Sequence, residues 1–137
     1  MKIICKINNL NDISDPHTLE RLKRYISKPD GEIDLDIGRA YNVYGVVFWD
    51  NCPWFYICPD NSDEYPKPFA ADFFDTVDSR LPQNWMLCSF SNGQSEATTL
   101  LTFEEWAKDL SFYERLIDGE PEAIDIFTRY RTILDKA

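Results

Sequence analysis

The chain has 137 residues, a length typical of one folded domain, and it carries a formal net charge of −10. Its hydrophobic content of 44% and aromatic content of 15% exclude intrinsic disorder, because such a chain can bury a core. The acidity excludes nucleic acid and anionic membrane surfaces as partners, since both are bound through clustered Lys and Arg. We therefore expect a single domain over residues 1–137 that binds neither.

The first residues, 1–7, alternate charged and apolar side chains and lack the apolar core of a secretory signal. No run reaches the ~18–20 apolar residues of a membrane span, so we expect a cytoplasmic protein. Its cysteines are then expected to be reduced; they are Cys5, Cys52, Cys58 and Cys88. The closest pair has C-x5-C spacing and the one histidine, His17, is distant, so we expect no metal ion and no cofactor.

The first predicted elements are a strand and a basic helix. Residues 2–7 form the strand. Asp15 as N-cap and Pro16 at the first helical position begin a helix that runs to about Ser27. This helix and its end hold the one basic cluster of the sequence, which is expected to pair with carboxylates elsewhere: Arg21, Lys23, Arg24 and Lys28.

The middle of the chain predicts a hairpin and an acidic loop. Tyr41–Trp49 is β-branched and aromatic on both faces, which is typical of a central strand. Asp50–Pro53 is expected to turn the chain, and Trp54–Cys58 to return as the second strand. Pro59–Pro68 predicts an exposed acidic loop, stiffened by proline. Phe69–Val77 is interpreted as a helical turn followed by a strand.

The next segments predict a second hairpin. Trp85–Ser91 and Gln94–Leu101 are its strands, and Asn92-Gly93 between them is the strongest turn signal in the chain.

Two helices are expected to follow. Thr102 and Glu105 form a capping box at the start of a helix over residues 103–117, which Gly119 ends, and Pro121 opens the last helix. The order of elements predicts an α+β fold. In this fold an antiparallel β-sheet carries one N-terminal helix and two C-terminal helices packed against it.

Motifs for catalysis are missing from the sequence. There is no Ser or Cys with a neighbouring His, no Gly-rich phosphate loop and no H-E-x-x-H. The carboxylate series Asp72, Asp75, Asp78 is typical of a solvated face. Residues 60–71 resemble half a calcium loop, but Tyr65 replaces its glycine and Ala71 its final glutamate. We expect no catalytic residue, and keep a carboxylate-based enzyme as the less favoured alternative.

The charge is concentrated in one aromatic segment. Between Asp30 and Asp78 stand eleven carboxylates and two cations, Arg39 and Lys67. A folded, aromatic and strongly acidic segment is typical of a rigid face that meets a positively charged partner.

Two stretches of this segment resemble a family. Ile37–Val46 is similar to a G-x-x-Y-x-V-Y-G-I strand, and Pro68–Trp85 to a P-x-x-x-F-x-x-x-D-x-x-x-P-x-x-W segment. Both patterns resemble small acidic immunity proteins of bacterial polymorphic toxin and contact-dependent growth inhibition systems. The resemblance implies a non-catalytic inhibitor that binds one cognate protein toxin, often a nuclease. Because nucleases are basic, an acidic inhibitor fits that role.

The acidic segment also supplies the predicted binding residues. The first choice of carboxylates is Asp60, Asp63, Glu64, Asp72 and Asp75. The second choice is Asp34 with Asp36, and the aromatic anchors are Tyr65, Trp54 and Phe69. Two alternatives stay open: another interaction or regulatory domain, such as a DNA-mimic inhibitor, and an interface on the C-terminal helices.

Overall fold

A computed structural model of the protein describes residues 1–91 and 97–136 and confirms the α+β class. The described strands are β1 (Lys2–Cys5), β2 (Ala40–Asn42), β3 (Gly45–Trp49), β4 (Cys52–Ile57), β5 (Lys67–Ala70), β6 (Phe74–Asp78), β7 (Trp85–Ser91) and β8 (Ala97–Phe103). The described helices are α1 (Pro16–Lys23), α2 (Glu104–Ala107), α3 (Phe112–Ile117) and α4 (Pro121–Asp135), with 3-10 turns at Leu10–Asp12 and Ala71–Phe73.

The strands form two antiparallel sheets. One sheet has three strands in the order β2-β1-β6, and the other has five in the order β5-β4-β3-β8-β7. Phe74 of the three-stranded sheet contacts Phe55 of the five-stranded sheet, with ring centroids 6.0 Å apart. The core therefore extends from one sheet to the other through aromatic side chains.

The predicted strand Tyr41–Trp49 is divided between the two sheets. Its first part lies in β2 and its second part in β3, the central strand of the larger sheet. At the break, the backbone N–H of Val43 donates to Met1, and that of Tyr44 donates to Tyr56 in the other sheet. The chain changes sheets at these two residues, which a continuous apolar run does not reveal.

The hairpin of β3 and β4 turns on two residues instead of the predicted four. Asp50 and Asn51 have positive φ angles of 49° and 57°, the conformation of a two-residue hairpin turn whose twist matches the strands. Pro53 belongs to β4, opposite Phe48. It is tolerated there because β5, the other neighbour of β4, ends opposite Trp54.

Helix α1 begins as predicted, with the Asp15 side chain accepting a hydrogen bond from the backbone of Thr18. It ends at Lys23 and not at about residue 27. The predicted pairing with carboxylates is confirmed for two of the four basic residues, because Arg21 pairs with Asp72 at 2.6 Å and Arg24 with Asp50 at 3.2 Å. Lys23 and Lys28 form no ion pair within the described residues.

The predicted capping residue Thr102 lies inside β8 instead. It is fully buried, and its hydroxyl donates to the backbone oxygen of Tyr44 at 2.8 Å. The N-cap of α2 is Phe103, and Glu105 accepts hydrogen bonds from Arg129 and Tyr130 of α4. The Thr102 hydroxyl therefore donates to a backbone oxygen in the core and does not form the predicted capping box.

The predicted helix 103–117 is divided into α2 and α3 by a turn at Asp109. The Asp109 carboxylate accepts from the backbone N–H and the hydroxyl of Ser111, at 3.0 and 2.6 Å. Such side-chain bonds compete with helix formation. The aromatic residues on both sides nevertheless join one core, with Tyr113 stacked on Trp106 at 5.5 Å.

The last helix, α4, opens with Pro121 as predicted and closes the core through its aromatic face. Tyr130 stacks on Phe103 with ring centroids 4.2 Å apart, and Phe127 contacts Tyr44 edge-on at 5.5 Å. Among the described helices, none combines the length and the apolar character needed to cross a bilayer. The predicted turn at Asn92-Gly93 lies outside the described residues.

Replacing Thr102 with valine tests the buried hydrogen bond. We expect Thr102→Val to lower the free energy of unfolding by about 1–3 kcal/mol, because it leaves the buried Tyr44 oxygen without its donor. The matched control is Thr132→Val on the exposed face of α4, for which we expect a change within about 0.5 kcal/mol. Chemical denaturation measures both, and equal effects would show that Thr102 contributes only its volume.

Candidate functional site

The site begins with an extended segment, residues 32–36, whose side chains alternate. Ile33 and Leu35 are buried, whereas Glu32, Asp34 and Asp36 are exposed. The backbone is fixed to the N-terminal region, because the N–H of Ile33 donates to the Asn8 oxygen at 2.8 Å. Two buried aliphatic anchors thus present a row of carboxylates to solvent.

The second part of the site is the loop 58–66 between β4 and β5, whose carboxylates accept hydrogen bonds from its own backbone. Lys67 and Pro68, which the sequence placed in this loop, pair with β4 as the start of β5. Asp60 accepts from the backbone N–H and the hydroxyl of Ser62, both at 2.9 Å. Asp63 accepts from the N–H of Asp60 at 3.0 Å. The bonds from Ser62, first the backbone N–H and then the hydroxyl, hold the pKa of Asp60 below its usual range. Asp60 therefore stays ionised in mildly acidic solution.

Two side chains from the C-terminal helices hold this loop in place. Arg131 of α4 donates to the backbone oxygen of Asp63 at 2.6 Å and to that of Asn61 at 3.2 Å. Tyr113 of α3 donates its hydroxyl to the oxygen of Pro66 at 2.6 Å. The acidic loop is thus fixed to the core at both halves.

The aromatic wall of the site comes from the β3–β4 hairpin. Trp49 and Trp54 stack with centroids 4.8 Å apart, and Tyr25 contacts both rings, at 6.1 and 5.4 Å. Trp54 is only 4% exposed. The indole Nε1 atoms of both tryptophans are buried without a hydrogen-bond partner within the described residues.

Carboxylates and aromatic wall meet in one cavity of about 560 Å³, which we call the acidic groove. Its aromatic lining is Tyr25, Trp49, Trp54, Phe69 and Phe73; its acidic lining is Glu32, Asp34, Asp60 and Asp63; its basic lining is Lys28 and Lys67. The volume lies in the range of about 300–1,000 Å³ that is usual for ligand sites.

A smaller cavity of about 320 Å³, the side cleft, adjoins the groove. Asp34 and Asp60 line both cavities, and Asp36 faces the side cleft alone. There Arg39 lies over the ring of Tyr41, with its guanidinium carbon 5.1 Å from the centroid, and pairs with Asp36 at 3.5 Å. Asp60 and Asp63 of the first choice thus share one surface with Asp34 and Asp36 of the second.

Four of the predicted binding residues line neither cavity. Asp72 is half-buried and pairs with Arg21, and it also accepts a hydrogen bond from the Cys52 thiol at 3.3 Å. Asp75 is exposed on β6 and pairs with Lys6 at 3.2 Å. Both carboxylates are therefore engaged within the protein.

The other two, Glu64 and Tyr65, lie in the loop but do not line the groove. Glu64 is exposed. Tyr65 is half-buried, contacts Tyr113 edge-on at 6.4 Å and has the Lys67 ammonium 6.0 Å from its ring centroid. Tyr65 thus helps to fix the loop on the helices.

The thiols of the core are arranged for packing. Burial raises the pKa of Cys52 to about 11 and that of Cys58 to about 12, and it also raises the pKa of Cys5. A nucleophilic cysteine needs a lowered pKa, so these three lack that activation. Within residues 1–91 and 97–136, no three His, Cys, Asp or Glu side chains are placed to hold a metal ion.

Another cavity, of about 600 Å³, lies between the end of α4 and residues 78–84. Its charged side chains are Lys2, Asp78 and Arg80, and the last two are paired with each other at 2.8 Å. The apolar residues Leu81 and Ile133 are half-exposed. This cavity lacks the four carboxylates and the aromatic wall of the acidic groove, so we place the functional site in the groove.

Sequence reasoning missed several contributors to the site, which are Tyr25, Lys28, Glu32, Trp49, Lys67, Phe73 and Arg131. Trp49 could have been predicted from the sequence, because a two-residue turn at Asp50-Asn51 places it on the same side of the hairpin as Trp54. Arg131 gave no local signal, since it lies 68 residues from Asp63 in the chain.

Comparison of the chain with protein-family models, with curated proteins and with solved structures finds no match in any of the three.

The Arg131 contact predicts how the loop is held. We expect Arg131→Met, which keeps the aliphatic stem, to speed amide exchange in residues 60–64 by about tenfold or more, because hydrogen bonds from a charged group contribute about 1.5–3 kcal/mol. Hydrogen–deuterium exchange measures this rate. The control is Arg129→Met on the same helix, whose partner is Glu105. Unchanged loop exchange in Arg131→Met would show that the proline-rich loop is rigid without the clamp.

Proposed function

We propose that the protein is a non-catalytic, immunity-type inhibitor that binds a cationic protein toxin through the acidic groove. One observation carries this proposal: carboxylates from two separate segments, 32–36 and 59–63, converge beside an aromatic wall on a braced surface. The resemblance of residues 37–46 and 68–85 to immunity proteins points to the same function. Such an inhibitor meets its toxin in the cytoplasm.

The charge of the groove supports a cationic partner. Within the described residues, Asp34, Asp60 and Asp63 take part in no side-chain ion pair, whereas Asp72 and Asp75 do. Unpaired carboxylates attract a basic protein at long range, and steered association reaches about 10⁸–10⁹ M⁻¹s⁻¹ at low salt. Fast capture suits an inhibitor that must act before its toxin does.

The aromatic wall supplies buried anchors for binding, which charge alone does not provide. Affinity at protein interfaces depends on a few buried anchors, mostly aromatic residues and arginine, surrounded by a polar rim. Phe69 and Trp49 are half-buried in the groove and have carboxylates beside them. Because the loop is already fixed, its ordering costs little on binding.

The alternative of a carboxylate-based enzyme is less well supported. A general acid in such a site needs a raised pKa. The pKa of Asp60, which lies where the groove and the side cleft meet, is lowered instead by hydrogen bonds from Ser62. This carboxylate is suited to binding positive charge.

Reversing two groove charges tests the proposal. Glu32 and Asp34 are exposed, and no described hydrogen bond uses their side chains. We expect Glu32→Lys with Asp34→Lys to slow association with the toxin by about 10–100-fold at low salt and to remove protection, without unfolding the protein. The measurements are binding kinetics and the growth of cells that co-express the chain with the product of the neighbouring toxin gene.

The matched control reverses Glu114 and Asp125, which are exposed on α3 and α4. Each reversal adds two charges, so both double variants move the net charge from −10 to −6. We expect this control to bind and protect normally. Protection lost in the control but kept in the groove variant would place the interface on the C-terminal helices. A neighbouring gene without toxin activity would remove the immunity role.

A further inference from the structure

The strongest recognition feature of the molecule is the junction between groove and side cleft. Asp34 and Asp60 line both cavities there, and they belong to segments that come from different parts of the chain. On the groove side the junction continues into the wall of Trp49 and Phe69. A ligand group at this position meets two carboxylates at one end and aromatic surface along its length.

The protein already contains one example of the side chain that fits such surroundings. In the side cleft, Arg39 places its guanidinium over the ring of Tyr41 at 5.1 Å and beside the Asp36 carboxylate at 3.5 Å. A guanidinium stacks on aromatic faces and pairs with carboxylates in the same orientation, because it is planar and weakly hydrated. The groove places Asp34 and Asp60 beside the aromatic wall in a similar combination; its own cations are Lys28 and Lys67, and Arg39 reaches these two carboxylates from the side cleft and does not line the groove.

We propose that the acidic groove seats an arginine side chain presented by an extended segment of the partner protein. The aliphatic stem lies along Phe69 and Trp49, and the guanidinium lies between Asp34 and Asp60. This proposal rests on the proposed function and names the group that the partner must present. Lysine fits less well, because its compact ammonium is strongly hydrated and cannot stack or bind in a bidentate manner.

The unpartnered indole groups favour a peptide segment over an isolated cation. The Nε1 atoms of Trp49 and Trp54 have no acceptor within the described residues, although a buried indole N–H normally finds one. A peptide brings backbone carbonyl oxygens together with its cationic side chain. Because both Nε1 atoms are buried, a neighbouring side chain has to move for a carbonyl to reach them; Tyr25, which is 48% exposed, contacts both indole rings.

The test follows the indole signals of the full chain by NMR, with isotopically labelled tryptophan. Two of the four tryptophans, Trp85 and Trp106, line neither cavity and serve as internal controls. The probe is the blocked peptide acetyl-Gly-Arg-Gly-Arg-Gly-amide. Its matched versions carry citrulline, which keeps the shape and removes the charge, or lysine in place of both arginines.

We expect the arginine peptide to shift the Trp49 and Trp54 signals and to bind about tenfold more tightly than the citrulline peptide, with the lysine peptide in between. Asp34→Asn with Asp60→Asn should remove this preference, because asparagine keeps the hydrogen-bond acceptor but not the charge. The control, Asp118→Asn with Asp125→Asn, changes the net charge equally at two exposed positions, one at the end of α3 and one on α4, and should bind as the original chain does.

Three results would overturn the arginine seat: equal shifts with citrulline, no shift of Trp49 and Trp54 with any peptide, or an unchanged preference in Asp34→Asn with Asp60→Asn. These outcomes are separable from failure of the proposed function. If charge reversal removes protection but the tryptophan signals do not respond to the arginine peptide, the inhibitor function is supported and the arginine seat is rejected. Arginine binding in a protein that protects against no toxin does the reverse.

Discussion

Strand β4 connects the groove, the three-stranded sheet and α2 through its aromatic side chains. Three consecutive aromatic residues of this strand are buried, and each faces a different part of the molecule. Trp54 meets Trp49 and Tyr25 in the groove, Phe55 meets Phe74 of the three-stranded sheet, and Tyr56 meets Trp106 of α2 at 4.7 Å. The functional surface is therefore one side of the same strand that organises the core, which makes it rigid.

Rigidity matters because the site concentrates like charges. Carboxylates that approach one another repel, and a loop that carries three of them needs other interactions to hold its shape. Here Asp60 and Asp63 cap backbone N–H groups of their own loop, while Arg131 binds the loop through carbonyl oxygens and leaves the carboxylates unneutralised. The loop is thus fixed without loss of the negative charge that the proposed partner recognises.

Much of the fold followed from the sequence where the signal was local. The N-cap at Asp15, the hairpin after Trp49 and the helix start at Pro121 all depend on a few neighbouring residues. The division of Tyr41–Trp49 between two sheets did not follow, because both parts are apolar and only distant partners decide which sheet each joins. Thr102 matched a local helix-capping signal, but its hydroxyl donates to the buried backbone oxygen of Tyr44, 58 residues away in the chain. Dependence on distant partners also limited the prediction of the site. The acidity of the sequence located the segment, but pairing with distant cations decided which of its carboxylates remained available.

Pairing with cations determines where on the acidic surface carboxylates remain without an ion pair. Three cations of the N-terminal third pair with carboxylates outside the groove: Lys6 with Asp75, Arg21 with Asp72 and Arg24 with Asp50. Their partners are neutralised locally, and solvent-exposed ion pairs add little stability, about 0–1 kcal/mol each. Their larger effect is on the field, because Asp34, Asp60 and Asp63 keep no ion pair among the described residues, although Lys28, Lys67 and Arg39 line the same two cavities. A partner steered by this field arrives where the aromatic wall is, so attraction and anchoring act at the same place.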